Sequence, residues 1–189
     1  MKPAGVDWLL DMPPYMFLKV PTPMPITSLQ TFEHGEWQTW MVDEPAHWIM
    51  MATLAGRVIG PSVCVAGLGL GLMLHCLADR EDITDILIVE QNPDVIALIG
   101  PLMPRRRHQL ISYYPANFWD MMQPWWDLNN IRTFVVDLWR GPLPDNTADV
   151  LRRRKQLEAM HPWPDTHSLF FSYQTLIDRT RMEEGLTHG

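Results

Sequence analysis

Three glycines and an acid form the part of this sequence most suited to chemistry. Gly67, Gly69 and Gly71 stand at alternate positions directly after a short β-branched apolar run. Glycine lets a backbone turn tightly and approach a ligand without an intervening Cβ atom. Glu90 ends the next apolar run, where a carboxylate can accept hydrogen bonds from ribose hydroxyls. Residues 62–90 therefore predict a β-α-β unit that binds a nucleotide.

Apolar runs alternate with helix-prone segments through the rest of the chain, and these elements must hold the turn in place. The predicted strands are residues 62–66, 86–89, 108–114, 131–137 and 168–172. The predicted helices are residues 70–77, 92–99, 117–122, 146–160 and 175–184. Strands and helices that alternate at this spacing form a mostly parallel sheet with helices on both faces. We therefore expect an α/β fold of the Rossmann-like type.

The length of the chain indicates one domain with an N-terminal attachment. At 189 residues it can bury one sizeable core but is too short for two full domains. We expect the Rossmann-like domain to span residues 59–189, and residues 1–58 to form an arm, a hairpin and a helix. Six prolines within residues 1–26 oppose regular structure and predict an extended arm.

A β-hairpin is predicted between the arm and the sheet. Residues 27–32 and 37–42 are β-prone runs, and Gly35 between them can supply the positive φ of a short hairpin loop. A helix should follow the hairpin. We expect Asp43 to be its N-cap and Pro45 to lie in its first turn.

Charge and composition exclude several classes of partner. Fifteen basic and 22 acidic residues give a net charge of −7, so we expect no extended nucleic acid as partner. No apolar run approaches the roughly 20 residues of a spanning helix, and no signal peptide is visible, so we expect a cytoplasmic protein without a membrane partner. Cys64 and Cys76 are predicted to be small buried hydrophobes. His161, His167 and His188 lack a metal-ligand spacing, so no metal site is expected.

Other polar residues have structural interpretations. His47 and His75 fall within predicted helices, where histidine is often partly buried, so we expect them to be packing residues. The basic runs 105–107 and 152–155 are expected to be solvated faces of helices or loops. If they do act, they would offer local docking to an anionic substrate.

The glycine spacing resembles motif I of class I S-adenosylmethionine-dependent methyltransferases. A dinucleotide fingerprint would place its third glycine at position 72, which is Leu72, whereas this chain follows G-x-G-x-G. Residues 86–96 are similar to the strand, acid and helix start that follow in that superfamily. Together the two passages cover roughly residues 60–140. The resemblance implies S-adenosylmethionine, or its decarboxylated form, as the cofactor.

The same resemblance implies roles for individual residues. Gly67, Gly69 and Gly71 would lie beside the methionine part of the cofactor. The cofactor's ribose and adenine would be bound by residues after the second and third strands, namely Glu90, Gln91 and Asn117. Asp137 is similar to the acid at the active-site end of strand four and would be the catalytic acid or base. Trp139 would shape the pocket, with Trp40 or Trp48 as further wall residues.

The N-terminal layout is similar to that of spermidine synthases, which transfer aminopropyl groups. The shared order is a hairpin strand, an acidic turn and a histidine-bearing helix, represented here by residues 37–42, Asp43-Glu44 and His47-Trp48. This resemblance leaves open whether a methyl or an aminopropyl group is transferred. The acceptor would be a small molecule.

Two further hypotheses remain open. One is an interaction protein on this fold that has lost catalysis, suggested by Val65 where many relatives carry an acid, by Asn117 and by nine tryptophans. Under either this hypothesis or that of a transferase, the tryptophan-rich hairpin is a candidate surface for pairing two subunits into a homodimer. The other is a nicotinamide-dependent oxidoreductase, which Leu72 disfavours.

Overall fold

The computed structural model describes residues 25–121, 131–139, 147–160 and 167–170. The strands of this part of the chain are β1 Ser28–Glu33, β2 Glu36–Val42, β3 Ser62–Ala66, β4 Asp85–Glu90, β5 Leu110–Pro115, β6 Thr133–Val136 and β7 His167–Phe170. Its α-helices are α1 Pro45–Ala55, α2 Leu72–Leu77, α3 Pro93–Ile99 and α4 Thr147–Met160. Short 3₁₀ turns span Gly100–Leu102 and Phe118–Asp120. The predicted arm up to residue 24 and the predicted helix 175–184 lie outside the described residues.

Five strands form a parallel sheet in the order β5-β4-β3-β6-β7. The strand β3 is central, and the chain adds β4 and β5 on one side before it adds β6 and β7 on the other. The expected α/β, Rossmann-like parallel sheet is therefore confirmed for the described residues.

Side chains of the central strand enter two separate cores, because successive strand residues point to opposite faces. Val63 and Val65 join the core beneath α1, α2 and α3. Cys64 and Ala66 join the core beneath α4. Helices thus cover both faces of the sheet, and strands buried on both faces explain the uninterrupted apolar runs of the sequence.

The predicted hairpin is present as β1 and β2. The two strands pair antiparallel, and the loop residue Gly35 has a φ of +86°. Phe32 and Trp37 face each other across the strands with ring centroids 5.2 Å apart. Their exposed fractions are 61% and 68%, so this aromatic pair lies on the surface.

The predicted N-cap of α1 is wrong by one residue. Glu44 occupies the cap position, without a side-chain cap hydrogen bond. Asp43 instead closes the base of the hairpin: its carboxylate accepts a hydrogen bond from the N–H of Thr27 at 2.5 Å. The N–H of Asp43 in turn donates to the carbonyl of Thr27 at 3.0 Å. Because the Asp43 carboxylate pairs with Thr27 at the base of the hairpin, it does not cap α1.

A buried hydroxyl joins the segment before β3 to β6. Thr133 is fully buried, and its hydroxyl donates to the carbonyl of Ile59 at 2.8 Å. The same oxygen accepts from the N–H of Ile59 at 3.0 Å. Both capacities of the hydroxyl are therefore satisfied inside the protein.

The two cysteines were expected to be small buried hydrophobes, and the predicted helix 117–122 is only the 3₁₀ turn Phe118–Asp120 among the described residues. Cys64 is buried, Cys76 is half-buried, and both are free thiols. Burial raises the pKa of Cys64 and raises that of Cys76 to about 11, so both thiols stay protonated at neutral pH. Among the described helices, none has the length and apolar character needed to cross a membrane.

Candidate functional site

The order of the strands defines where a ligand would bind. The chain leaves the central β3 in one direction first and in the other direction later, so the order reverses between β3 and β6. Open α/β sheets bind ligands in the crevice at the carboxyl ends of the strands at such a point. Gly67 directly follows β3 and Asp137 directly follows β6, so the predicted turn and the predicted acid meet here.

The three glycines form a turn that only glycine fits. Gly67, Gly69 and Gly71 have φ values of +93°, +51° and +75°, in the region that side chains disfavour. A Cβ on Gly67 would overlap the carbonyl oxygen of Asp137, and one on Gly71 would overlap the sulfur of Met103. Positive φ therefore favours glycine at all three positions, and the clash with a backbone carbonyl makes Gly67 the least replaceable, whether or not a ligand binds.

Glu90 ties the turn to the end of β4. Its Oε2 accepts a hydrogen bond from the N–H of Leu68, and its Oε1 accepts one from the N–H of Asn92, both at 2.9 Å. The side chain is half-buried. A carboxylate has about four acceptor positions, so Glu90 can hold the turn and still accept hydrogen bonds from a ligand.

Asp137 lies on the other side of the turn and is unusually hard to ionise. Its N–H donates to the carbonyl of Ala66 at 3.0 Å, which fixes its backbone beside Gly67. The residue keeps some accessible surface, but the dense protein around its carboxyl group raises its pKa to about 7. A pKa raised toward neutrality suits a carboxyl group that both accepts and donates a proton.

The charges at the turn favour some ligands over others. Glu90 ends β4 and Asp137 follows β6, and these two strands flank β3, so an acidic residue lies at the end of the neighbouring strand on each side of Gly67. Ionised carboxylates repel a phosphate and attract a positively charged group. This arrangement favours a sulfonium or an amine over the pyrophosphate of a dinucleotide.

Asn117 lies near Glu90 but already has a local role. The N–H of Ala116 donates to the carbonyl of Glu90 at 3.1 Å, which brings the end of β5 beside the end of β4. The amide oxygen of Asn117 accepts from the N–H of Trp119 at 3.1 Å and so caps a 3₁₀ turn. Its second lone pair remains for another donor. Gln91 directly follows β4 and is exposed.

Trp139 is one of four side chains that contact one another in a ring. Its indole Nε1 donates to Oδ2 of Asp149 at 2.9 Å. Asp149 lies 3.9 Å from Nε of Arg153, whose guanidinium lies 4.6 Å from the ring centroid of Trp119. The indoles of Trp119 and Trp139 close the ring with centroids 6.4 Å apart. The second basic run is therefore not wholly a solvated face, because Arg153 is half-buried against an indole.

The remaining predicted residues are Trp40 and Trp48, expected as wall residues, and His47 and His75, expected as packing residues. Trp48 packs against the first core and meets His75 edge-on at 5.8 Å between the ring centroids. His75 is exposed rather than packed inside, which corrects the prediction for it. His47 is half-buried as expected, with Nδ1 3.0 Å from the carbonyl oxygen of Val42, and burial lowers its pKa. Trp40 is 38% exposed on the hairpin.

No sequence pattern identifies the residues that support the turn from outside the parallel sheet. Met41 of β2 packs on Gly69, and Met103 packs on Gly71. Methionine is flexible and fits irregular gaps, so its contacts follow no periodic pattern. Asp149 could have been noticed only as an acid in the first turn of a predicted helix.

No protein-family model matches this sequence, and neither does any curated protein. Membership of a family is therefore not shown. Sheets of this kind support many activities, so a function can be proposed only from the residues at the turn.

Proposed function

We propose that this protein binds S-adenosylmethionine, or its decarboxylated form, and transfers a methyl or aminopropyl group to a small molecule. The observation that carries the proposal is the position of a glycine turn between Glu90 and Asp137 at the point where the strand order reverses. Two acidic residues repel phosphate but attract a positively charged sulfonium ligand.

The chain has groups for each part of such a ligand. Free acceptor positions on Glu90 would bind the ribose hydroxyls. The remaining lone pair of Asn117 would accept from the adenine amino group, with the exposed Gln91 beside it. The backbone of Gly67 and Gly69, which is partly exposed, would lie against the methionine part.

Asp137 is the residue suited to the chemical step. The ligand supplies a carbon activated by a sulfonium leaving group. As the acceptor's lone pair forms the new bond and the carbon–sulfur bond breaks toward sulfur, Asp137 would take the acceptor's proton. A base with a pKa of about 7 is well matched to that transfer near neutral pH. Trp139, fixed by Asp149, would form a wall that excludes water.

Calorimetric titration tests the proposal directly. The protein is titrated with S-adenosylmethionine, S-adenosylhomocysteine, decarboxylated S-adenosylmethionine and NAD. We expect saturable binding of the sulfonium ligands and none of NAD, and we expect Glu90→Ala to weaken binding by at least about tenfold. Glu90→Gln keeps an acceptor and should lose less. If none of the ligands binds at roughly millimolar concentration, where binding energies are only about 4 kcal/mol, the proposal is refuted.

Charge at Asp137 gives a second readout. S-adenosylmethionine is a cation at sulfur, whereas S-adenosylhomocysteine is a neutral thioether. Preference for the former should rise as pH increases through about 7, where Asp137 ionises. Asp137→Asn should remove that pH dependence. A preference that stays constant with pH in the wild-type protein would contradict this role.

A second candidate function is supported by different observations. Protein atoms fill the side-chain directions of Gly67, Gly69 and Gly71, so packing alone explains the glycines. The hairpin exposes Phe32 and Trp37, which suit a protein interface. A non-catalytic interaction protein would bind none of the four ligands. It would instead associate through the hairpin, and sedimentation of the wild-type protein and Trp37→Ala would then differ.

A further inference from the structure

The side chain of Met41 lies on the glycine turn, although it belongs to the hairpin. Its sulfur accepts a hydrogen bond from the N–H of Leu70 at 3.2 Å. A Cβ on Gly69 would come within 2.6 Å of that sulfur and 3.3 Å of the terminal methyl carbon. The direction that a side chain at position 69 would take is thus occupied by a residue 28 positions earlier in the chain.

The hairpin presents Met41 from a fixed base. Asp43 and Thr27 are joined by the two hydrogen bonds that close the hairpin. The next residue, Val42, accepts a hydrogen bond from the ring of His47 in α1 at 3.0 Å. Met41 therefore lies between an anchored strand end and the turn, and it packs against the core beneath α1 and α2.

We propose that Met41 is a positioning residue of the ligand site: it holds the Gly69-Leu70 peptide in the orientation that a ligand at the turn would meet. This inference rests on the proposed function. Glycine is free to adopt many backbone conformations, so an unsupported glycine turn must lose entropy when it binds a ligand. Contact with Met41 removes part of that loss before binding, and such preorganisation increases affinity. The hairpin then belongs to the site through Met41.

Met103 provides a matched control. Its sulfur packs on Gly71 as that of Met41 packs on Gly69, but Met103 is buried in the core, and no turn N–H among the described residues donates to it. Leucine is close to methionine in volume, so Met41→Leu and Met103→Leu both preserve packing. Only Met41→Leu removes an acceptor from the turn.

The experiment measures ligand affinity and turn protection separately. The dissociation constant of S-adenosylhomocysteine is measured by calorimetry, and the exchange of the Leu70 amide is measured by NMR without ligand. In Met41→Leu we expect affinity to fall about tenfold and Leu70 exchange to speed up by a similar factor, with little change in the unfolding midpoint. In Met103→Leu both quantities should stay within about twofold of wild type.

The outcomes separate this inference from the proposed function. If the wild-type protein binds the ligand and Met41→Leu binds it equally well, the role of Met41 is refuted and the proposed function stands. If both leucine variants lose affinity equally, Met41 acts only as a packing residue and the inference is again refuted. If the wild-type protein binds nothing, the proposed function fails, and a ligand-positioning role for Met41 fails with it.

Discussion

Replacement of Asp137 by asparagine should stabilise the protein, and more so as pH rises. The folded-state pKa of about 7 lies above the usual value of 3.8 because burial disfavours the charged carboxylate. The folded protein therefore binds the proton more tightly than the unfolded chain does. Below about pH 4 both states are protonated and Asp137 has no pH-dependent effect. Between about pH 4 and pH 7 the unfolded chain has lost this proton and the folded state still holds it, so stability falls as pH rises.

The size of this effect follows from the shift. Roughly three pKa units correspond to about 4 kcal/mol, at about 1.4 kcal/mol for each unit. Because Asp137 keeps some accessible surface, we expect about 2 to 4 kcal/mol at pH 8. Asparagine cannot ionise, so Asp137→Asn should gain this much free energy of unfolding over the wild-type protein between about pH 4 and pH 8.

Urea unfolding followed by tryptophan fluorescence measures this difference at each pH. Asp149→Asn is the control, because it should show the opposite sign. Hydrogen bonding to Trp139 and the charge of Arg152 lower the pKa of Asp149, so its stabilising effect is present above its usual pKa and is lost in acid. The reasoning about Asp137 is refuted if the Asp137→Asn and wild-type proteins keep a constant difference across the whole range.

Three other substitutions test the architecture of the site by thermal unfolding. Glu90→Ala should cost about 1 to 3 kcal/mol because it leaves two backbone N–H groups without their acceptor, and Glu90→Gln should cost less; equal losses would contradict the role of the carboxylate. Gly67→Ala should cost more than about 2 kcal/mol, since it adds a clash with a backbone carbonyl to the strain of positive φ. Gly35 has a similar φ, but a Cβ there would meet nothing within 4 Å, so Gly35→Ala should cost only the backbone strain, about 1 to 2 kcal/mol. An equal loss of stability at Gly67 and Gly35 would contradict the clash. Thr133→Val should cost about 1 to 3 kcal/mol by leaving both polar groups of Ile59 unpaired, whereas Thr133→Ser should restore most of it; no restoration would show that the hydroxyl is unimportant.

The sheet could be predicted because its pattern is local. Residues buried on both faces must be apolar without interruption, and the runs that became β3, β4 and β6 have that character. Their positions relative to glycines and acids also placed Gly67, Glu90 and Asp137 at one edge, since parallel strands end on the same side. The strand order was not predicted, because it depends on pairings between distant segments.

Contacts between distant segments explain what the sequence did not show. Asp43 satisfies the usual rule for an N-cap, yet it binds Thr27, which lies 16 positions away and becomes a neighbour only when the hairpin closes. Met41 and Met103 have no pattern that identifies them as partners of the glycine turn. The polar contact of Asp149 with Trp139 also joins two elements that are separate in the sequence.

The glycines alone do not distinguish a ligand site from a tightly packed turn. Each has a positive φ and a neighbouring protein atom in its Cβ direction, and a structural turn would show the same three residues. Asp137 differs from them, because burial makes its ionised form unfavourable and no described residue forms an ion pair with it. An amide or an apolar side chain would serve packing better at this position. Groups held in such unfavourable environments are concentrated at functional sites. Asp137 therefore adds support to the proposed function that the glycine pattern alone does not give.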